Sequence, residues 1–498
     1  MAVGTATPGR FPCPGPGCGA GAPGTTGSGG WTTVLAVTQT RLRLPGRAGG
    51  TTRGAAAVGA GSRLGWLDAL RGLAALVVAL HHFGILEMLP FGGAIWWHFD
   101  LGLYGVMLFF LVSGYIIPAS LERRGDVRAF WVGRLFRIYP ALIATFAVSI
   151  MMLPKGDGSV ALFRTGHNLI SLVANATMLQ DMLNVVNGMG VTWTLTYEMI
   201  FYFLVTGLFT LGWHKRSSSF AVGFAAVGLV FGGSLATTTI AHDLGTTRNL
   251  VLAAALIVVM GFACMLSGNP VLTRTGGVLV AGLAVVLLLN NSRAPVFETL
   301  LIFATMFAGT VLYRAEHGQI DRLQAWLCCG FVVVAGVAIG WMYNRNGVEQ
   351  NTWNSGWIAW SASYTGAWAT FLGGMALRKR RFPKVLTWLG AVSFSLYLLH
   401  VPLLHTIAPL LAHPAPTTPG AKTLWVLEYL AIALAAAYLM YRLVELPFQK
   451  LGRKLLKAVE RRFPGEPPAA PQGSARPEAA PAPAEPVRIP AEVGSGTS

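Results

Sequence analysis

The sequence predicts an all-α fold, a polytopic bundle of about 10–12 membrane-spanning helices with disordered N- and C-terminal tails. Three observations predict it. Of 498 residues, 53% are hydrophobic and only 11% are charged, where a soluble domain carries about 25% charged residues. Apolar runs near the roughly 20 residues that cross a bilayer recur along the chain. The basic residues, which set a net charge of +17, fall preferentially on alternate loops, the bias that orients membrane helices. Together these exclude a water-soluble enzyme, a nucleic-acid-binding protein and a disordered scaffold. The positive charge instead suits loops facing anionic lipid.

Residues 1–62 are rich in Gly, Ala, Pro and Thr and carry five arginines but no acid. Such a leader cannot bury a core and is expected to be disordered. Residues 63–451 form the membrane domain. Its twelve apolar spans lie near 67–86, 101–121, 134–153, 192–213, 219–241, 249–267, 276–290, 296–313, 324–343, 356–377, 386–411 and 424–446. The segment 160–180 is amphipathic and is expected to lie at the interface. Residues 452–498 read as a basic stub followed by a disordered Pro/Ala-rich tail. With the N-terminus inside, the inner loops hold fifteen Lys and Arg against six on the outer loops. That bias puts both termini in the cytoplasm and requires an even number of spans. Trp96, Trp97, Trp353 and Trp357 read as interfacial anchors. Cys13 and Cys18 lie in the leader, and Cys264, Cys328 and Cys329 lie in apolar segments, so neither a disulfide framework nor a metal site is indicated.

Ionisable residues at membrane depth are costly and mark function. The first span holds Asp68, Arg71, His81 and His82. Eleven residues separate Arg71 from His82, about three helical turns, so both point the same way with His82 roughly 16 Å deeper. Asp68, one turn before Arg71, can pair with it. His81 faces about 80° away and reads as structural. Glu198 in the fourth span and His400 in the eleventh reach a depth similar to His82, and a shared cavity is expected. Between active-site and structural roles Glu198 is open; His400 reads as structural. Arg134 and Arg137 put two guanidiniums one turn apart at a membrane entrance, near Arg442 and Glu445 of the twelfth span. Guanidiniums at such spacing suit phosphate oxygens. The pattern is an anion-binding mouth below a buried imidazole.

The order of these motifs resembles the membrane-bound acyltransferase-3 family over roughly residues 64–451. The resemblance rests on Leu67-Asp68-Ala69-Leu70-Arg71-Gly72 with His82, then Phe109-Phe110-Leu111-Val112-Ser113-Gly114-Tyr115 and Arg134-Leu135-Phe136-Arg137-Ile138-Tyr139-Pro140. It continues through Trp193-Thr194-Leu195 with Glu198-Met199-Ile200-Phe201-Tyr202, and Leu389-Gly390 with Ser393 and Leu396-Tyr397-Leu398-Leu399-His400. It departs from the family in its paired His81-His82 and in having twelve spans where ten are usual.

The resemblance implies a bacterial inner-membrane enzyme that transfers an acyl group, commonly acetyl, from acyl-CoA to a hydroxyl of a glycan or glycoside acceptor. Acyl-CoA is then a co-substrate, and no metal is implied. Arg71 and His82 match the family's Arg-X10-His signature, and Arg134 and Arg137 its Arg-X-X-Arg motif. On this reading Arg71, Arg134 and Arg137 bind the coenzyme phosphates. His82 is the general base, and Glu198 orients it or binds the acceptor. Two other readings stand beside it. A twelve-helix secondary transporter fits the span count, although the two halves show no repeated motif. A non-catalytic module presenting a glycan or lipid is the third.

Overall fold

The computed structural model describes residues 54–89, 91–152, 168–293, 295–349, 351–411 and 418–462. Of the segments expected at 1–62 and 452–498, residues 1–53 and 463–498 lie outside the described residues, while 54–62 and 452–462 are helical. Among the described residues the chain is all helix and turn, without a strand.

Helices occupy all twelve expected spans. They are α1 (Gly54–His82), α4 (Leu101–Arg124), α5 (Val127–Met152), α7 (Trp193–Thr210), α8 (Ser217–Phe231), α9 (Leu244–Leu266), α10 (Pro270–Asn290), α11 (Val296–Glu316), α12 (Arg322–Tyr343), α13 (Trp357–Ala376), α14 (Lys384–Leu411) and α15 (Pro419–Met440). Short helices α2 (Ile85–Met88) and α3 (Gly92–His98) link α1 to α4, and α6 (Asn168–Ala176) falls in the amphipathic segment before α7. A π-helical turn, Tyr441–Glu445, joins α15 to an amphipathic helix α16 (Leu446–Arg462).

Eight of these, counting α15 and α16 as one, are long and apolar enough to cross a bilayer. The protein is an integral membrane protein. The remaining four, α1, α7, α8 and α13, sit at expected spans but are not among these eight. The clearest difference from expectation is α8, which stops at Phe231 instead of running to 241. Gly232 and Gly233 follow, and a side chain at either would collide with Phe297 or Tyr343.

Two helices form the centre. The apolar stretch of α11 is buried along its whole length and that of α4 over 78% of it, whereas α5 and α9 bury only 28% and present the rest outward. Lipid is as apolar as these side chains, so close packing has to hold membrane helices together, and small residues permit it. Gly114 of α4 and Gly309 of α11 face each other. A Cβ on Gly309 would lie 2.5 Å from the Leu111 carbonyl, and one on Gly114 would strike the Met306 carbonyl. Thr310 Oγ1 donates to the Gly114 carbonyl at 2.8 Å across the same crossing. The α4 start is fixed by Asp100, whose Oδ1 accepts from the Leu103 amide at 2.9 Å, the usual N-cap device.

The second tight pair is α1 with α14. A Cβ on Gly72 would lie 2.7 Å from the Gly390 nitrogen, and one on Gly390 would collide with the Asp68 carbonyl. Contact recurs ten residues later in both helices, at His82 and His400. The two helices therefore run parallel and in register for about 15 Å. Outside this pair, α15 packs on α14, and α16 lies along α5 with Gly452 against Phe136.

Candidate active site

At one end of the α1–α14 pair, four expected site residues line one cavity of ≈ 470 Å³ of atom-free space: Arg71, Arg134, Arg137 and Glu198. Phe109 and Ser113 of α4, Tyr202 of α7 and Ser393 of α14 complete much of the wall. The i, i+3 spacing of Arg134 and Arg137 on α5 places both on one face, and α1 brings Arg71 to meet them.

Arg71 and Arg134 are held differently. Arg71 Nη2 pairs with Asp68 Oδ1 at 3.4 Å, one turn earlier, while its Nε is buried with no hydrogen-bond partner among the described residues. Arg134 Nη2 donates to Ser120 Oγ at 3.0 Å. Its guanidinium also lies 5.3 Å from the ring centroids of both Phe130 and Tyr202, within cation–π range. Tyr202 in turn donates its hydroxyl to Glu198. Buried Glu445 accepts from Ser395, whereas Arg442 stacks over Tyr438, 5.8 Å from its ring. Both lie in the π-helical turn, where Glu445 is buried and Arg442 exposed, and neither lines the cavity. Glu198 is the one carboxylate that lines the cavity beside the three guanidiniums, Asp68 pairing with Arg71 outside the lining, and guanidinium N–H groups of this kind can hold an anion with several oxygens.

The opposite end of the pair carries imidazoles. His82 closes α1, and its Nδ1 lies 3.0 Å from the Val78 carbonyl and 3.3 Å from His400 Nε2. His400 is fully buried, and its Nδ1 lies 2.7 Å from the Tyr397 carbonyl. His81 faces elsewhere, stacked on Trp96 with ring centroids 6.1 Å apart. Tyr397 and Phe109 stand between the two ends. Their centroids are 5.9 Å apart, and Tyr397 is 5.6 Å from the His400 ring. Tyr397 is itself anchored, donating to the Val191 carbonyl at 2.9 Å and meeting Thr194 Oγ1 at 2.7 Å. The loop carrying Val191 also buries Asp181. Burial pushes that carboxyl above the usual carboxylate range, against the opposing pull of Arg293 and of hydrogen bonds from Thr196, Asn187 and Gln180.

Four expectations need correcting. His82 is exposed, not buried, because α1 ends there and the chain turns away at Gly84, whose φ is 75°. Glu198 does not orient His82. Its carboxylate is engaged by Tyr202 among the arginines, and the His82 ring is held by Val78 and His400. The expected shared cavity of His82, Glu198 and His400 is therefore two places, not one. Trp353 is not an interfacial anchor but is 5% exposed, packed edge-on against Trp193 and Trp360.

Tyr202, Ser113 and Phe109 were not singled out as site residues. The signal was present, since Tyr202 stands one turn after Glu198, where side chains meet. The His82–His400 contact had no local signal, because 318 residues separate the two.

The family model described as Acyltransferase domain matches residues 64–444. The chain is 31% identical over 150 residues to nodulation protein 10 of Rhizobium leguminosarum bv. viciae, covering 26% of this chain and 41% of that protein. It is 29% identical over 115 residues to a protein of Staphylococcus aureus provisionally named an O-acetyltransferase, covering 22% of this chain and 17% of that one. It is 26% identical over 168 residues to a provisionally named acetyltransferase of Acidianus two-tailed virus, covering 34% and 47%. The matches thus span less than half the length of each of these relatives. No solved structure matches the chain.

Proposed function

The chain belongs to the acyltransferase family defined by that domain, and from this premise we propose that it moves an acyl group, acetyl in the first instance, from acyl-CoA to a hydroxyl of a sugar-containing acceptor. The observation that carries the reading is the convergence of Arg71, Arg134 and Arg137 on one cavity, on a helix that ends in an exposed imidazole eleven residues further on. Coenzyme A carries several phosphate charges, which bidentate guanidiniums bind well. It is cytosolic, so this assignment places the arginine end of the bundle inside the bacterial cytoplasmic membrane, with both termini on that side.

In this scheme the arginines hold phosphate oxygens, and the pantetheine arm runs along the α1–α14 pair to bring the thioester to His82. The His82 Nδ1 faces a carbonyl that can only accept, so that nitrogen carries the proton and Nε2 keeps its lone pair. Nε2 takes the proton from the acceptor hydroxyl as its oxygen attacks the thioester carbonyl. The C–S bond breaks, and the thiolate leaves with the coenzyme. Glu198 sits among the arginines, and we assign it to the donor cavity, where it fixes Tyr202 and through it the Arg134 guanidinium.

The test is turnover of radiolabelled acetyl-CoA by purified protein with a sugar acceptor, for wild type and His82→Ala. We expect turnover to fall about 10²–10⁴-fold, the usual contribution of a positioned general base, with coenzyme A binding retained. Equal turnover in both would remove His82 from the chemistry. Acceptor flux into vesicles without acetyl-CoA consumption would favour the transporter reading.

A further inference from the structure

His400 belongs to neither the arginine cavity nor the Arg-X10-His pairing, yet it is fully buried and touches the proposed base directly. A buried imidazole needs partners for both nitrogens, because an unpaired polar group in the bundle is costly. Its Nδ1 lies 2.7 Å from the Tyr397 carbonyl. A carbonyl accepts only, so the proton of His400 sits on Nδ1 and Nε2 holds a lone pair. That lone pair is 3.3 Å from His82 Nδ1, which also faces the Val78 carbonyl at 3.0 Å. The His82 Nδ1 proton is thus shared between two acceptors, a carbonyl on its own helix and an imidazole from α14. The chain has one direction: His82 Nδ1–H to His400 Nε2, and His400 Nδ1–H to the Tyr397 carbonyl. The His400 backbone is pinned as well, its carbonyl accepting from the Tyr429 hydroxyl at 3.3 Å.

We propose that His400 is the positioning residue of this site, accepting a hydrogen bond from His82 Nδ1–H so that the exposed ring keeps the tautomer and orientation in which Nε2 is the base. The inference rests on the reading of His82 as base. His82 needs such a partner because it ends its helix, where the backbone alone holds a side chain weakly. When Nε2 takes the hydroxyl proton, the acceptor oxygen bonds to the acyl carbon and the C–S bond breaks. The imidazolium then returns its Nε2 proton to the thiolate. His400 gains and loses no proton in this cycle. It stabilises the imidazolium through the Nδ1 hydrogen bond, as the third member of a Ser-His-Asp triad does with a carboxylate.

The experiment compares wild type, His82→Ala, His400→Phe, His400→Leu and His400→Gln in the full-length protein, reading acetyl-CoA turnover, KM for acetyl-CoA and elution as a single species on gel filtration. Glutamine can present a carbonyl oxygen where Nε2 stood; phenylalanine and leucine cannot. We expect either apolar variant to lower kcat about 10–100-fold at unchanged KM, by analogy with loss of a partner that orients a metal-bound histidine, and His400→Gln to recover most of it. Wild-type kcat in a folded apolar variant overturns the proposal. So does an equal loss in His400→Gln and the apolar variants, which marks a packing role. If only one apolar variant folds, it decides against His400→Gln. Full activity in His82→Ala sinks the base reading itself, an outcome distinct from activity that needs His82 but ignores His400.

Discussion

Around Gly72 and Gly390 the α1–α14 pair meets α5 and α7 at a cavity lined by three guanidiniums and a carboxylate, all half-buried, while ten residues further on, at His82 and His400, it carries two imidazoles and opens at the end of α1. The two ends share the same helices and the same register, so the contrast comes from what surrounds them. At the arginine end α4, α5 and α7 close over the site. At the histidine end α1 stops, and its last side chain reaches out. The lesson is a division of labour along one helix pair, with charge recognition at the enclosed end and proton transfer at the accessible one. About 16 Å of helix separates the two, bridged by the Phe109–Tyr397 aromatic contact.

That division can be broken from either side. The largest effect after loss of His82 is expected at the arginine end. The double variant Arg134→Ala/Arg137→Ala removes two charge-assisted contacts, each worth about 1.5–3 kcal/mol, and should raise KM for acetyl-CoA by at least about 100-fold while kcat changes little. Titration of initial rates against acetyl-CoA checks this. A fall in kcat at unchanged KM would mean that the two ends are not separate in function. Lysine at both positions should restore only part of the affinity, because an ammonium lacks the planar fork.

A middle-sized effect is expected where the two ends are tied together. Gly390→Ala inserts a Cβ into the Asp68 carbonyl, and overpacking of this kind costs about 1–3 kcal/mol. The melting temperature of the detergent-solubilised protein should fall. Both KM and kcat should worsen together, since the register of α1 on α14 sets both sites. Damage confined to one parameter would argue against a shared frame.

The smallest effect sharpens the assignment of Glu198. Glu198→Gln keeps an acceptor for the Tyr202 hydroxyl but removes the negative charge among the arginines. We expect a change of only a few-fold in KM for acetyl-CoA, with kcat near wild type. A kcat loss as large as that of His82→Ala would return Glu198 to the chemistry of the base.

Much of this was legible in the residues. Twelve apolar runs gave twelve helices, because a run of that length has nowhere else to satisfy its backbone. Arg134 and Arg137 were readable as a unit because helical spacing is local, and Asp68 with Arg71 for the same reason. The end of α8 at Phe231 was less readable: Gly232 and Gly233 follow it where an added side chain would meet Phe297 and Tyr343, far off in the chain. Trp353 misled for a related reason. A tryptophan at a span end suits the interface, but here Trp193 and Trp360 enclose it.

What the sequence by itself determined is the class of protein, the place of a helix at each of its twelve apolar runs, and the local groups that a helical period brings onto one face. Those depend on composition and on residues three, four or eleven apart. What only the tertiary structure decided is which faces meet: that Glu198 joins the arginines and not His82, that His82 is exposed, and that His400 stands behind it. Azimuth within a bundle is fixed by close approaches such as Gly72 on Gly390, and these join residues hundreds of positions apart that no local period connects.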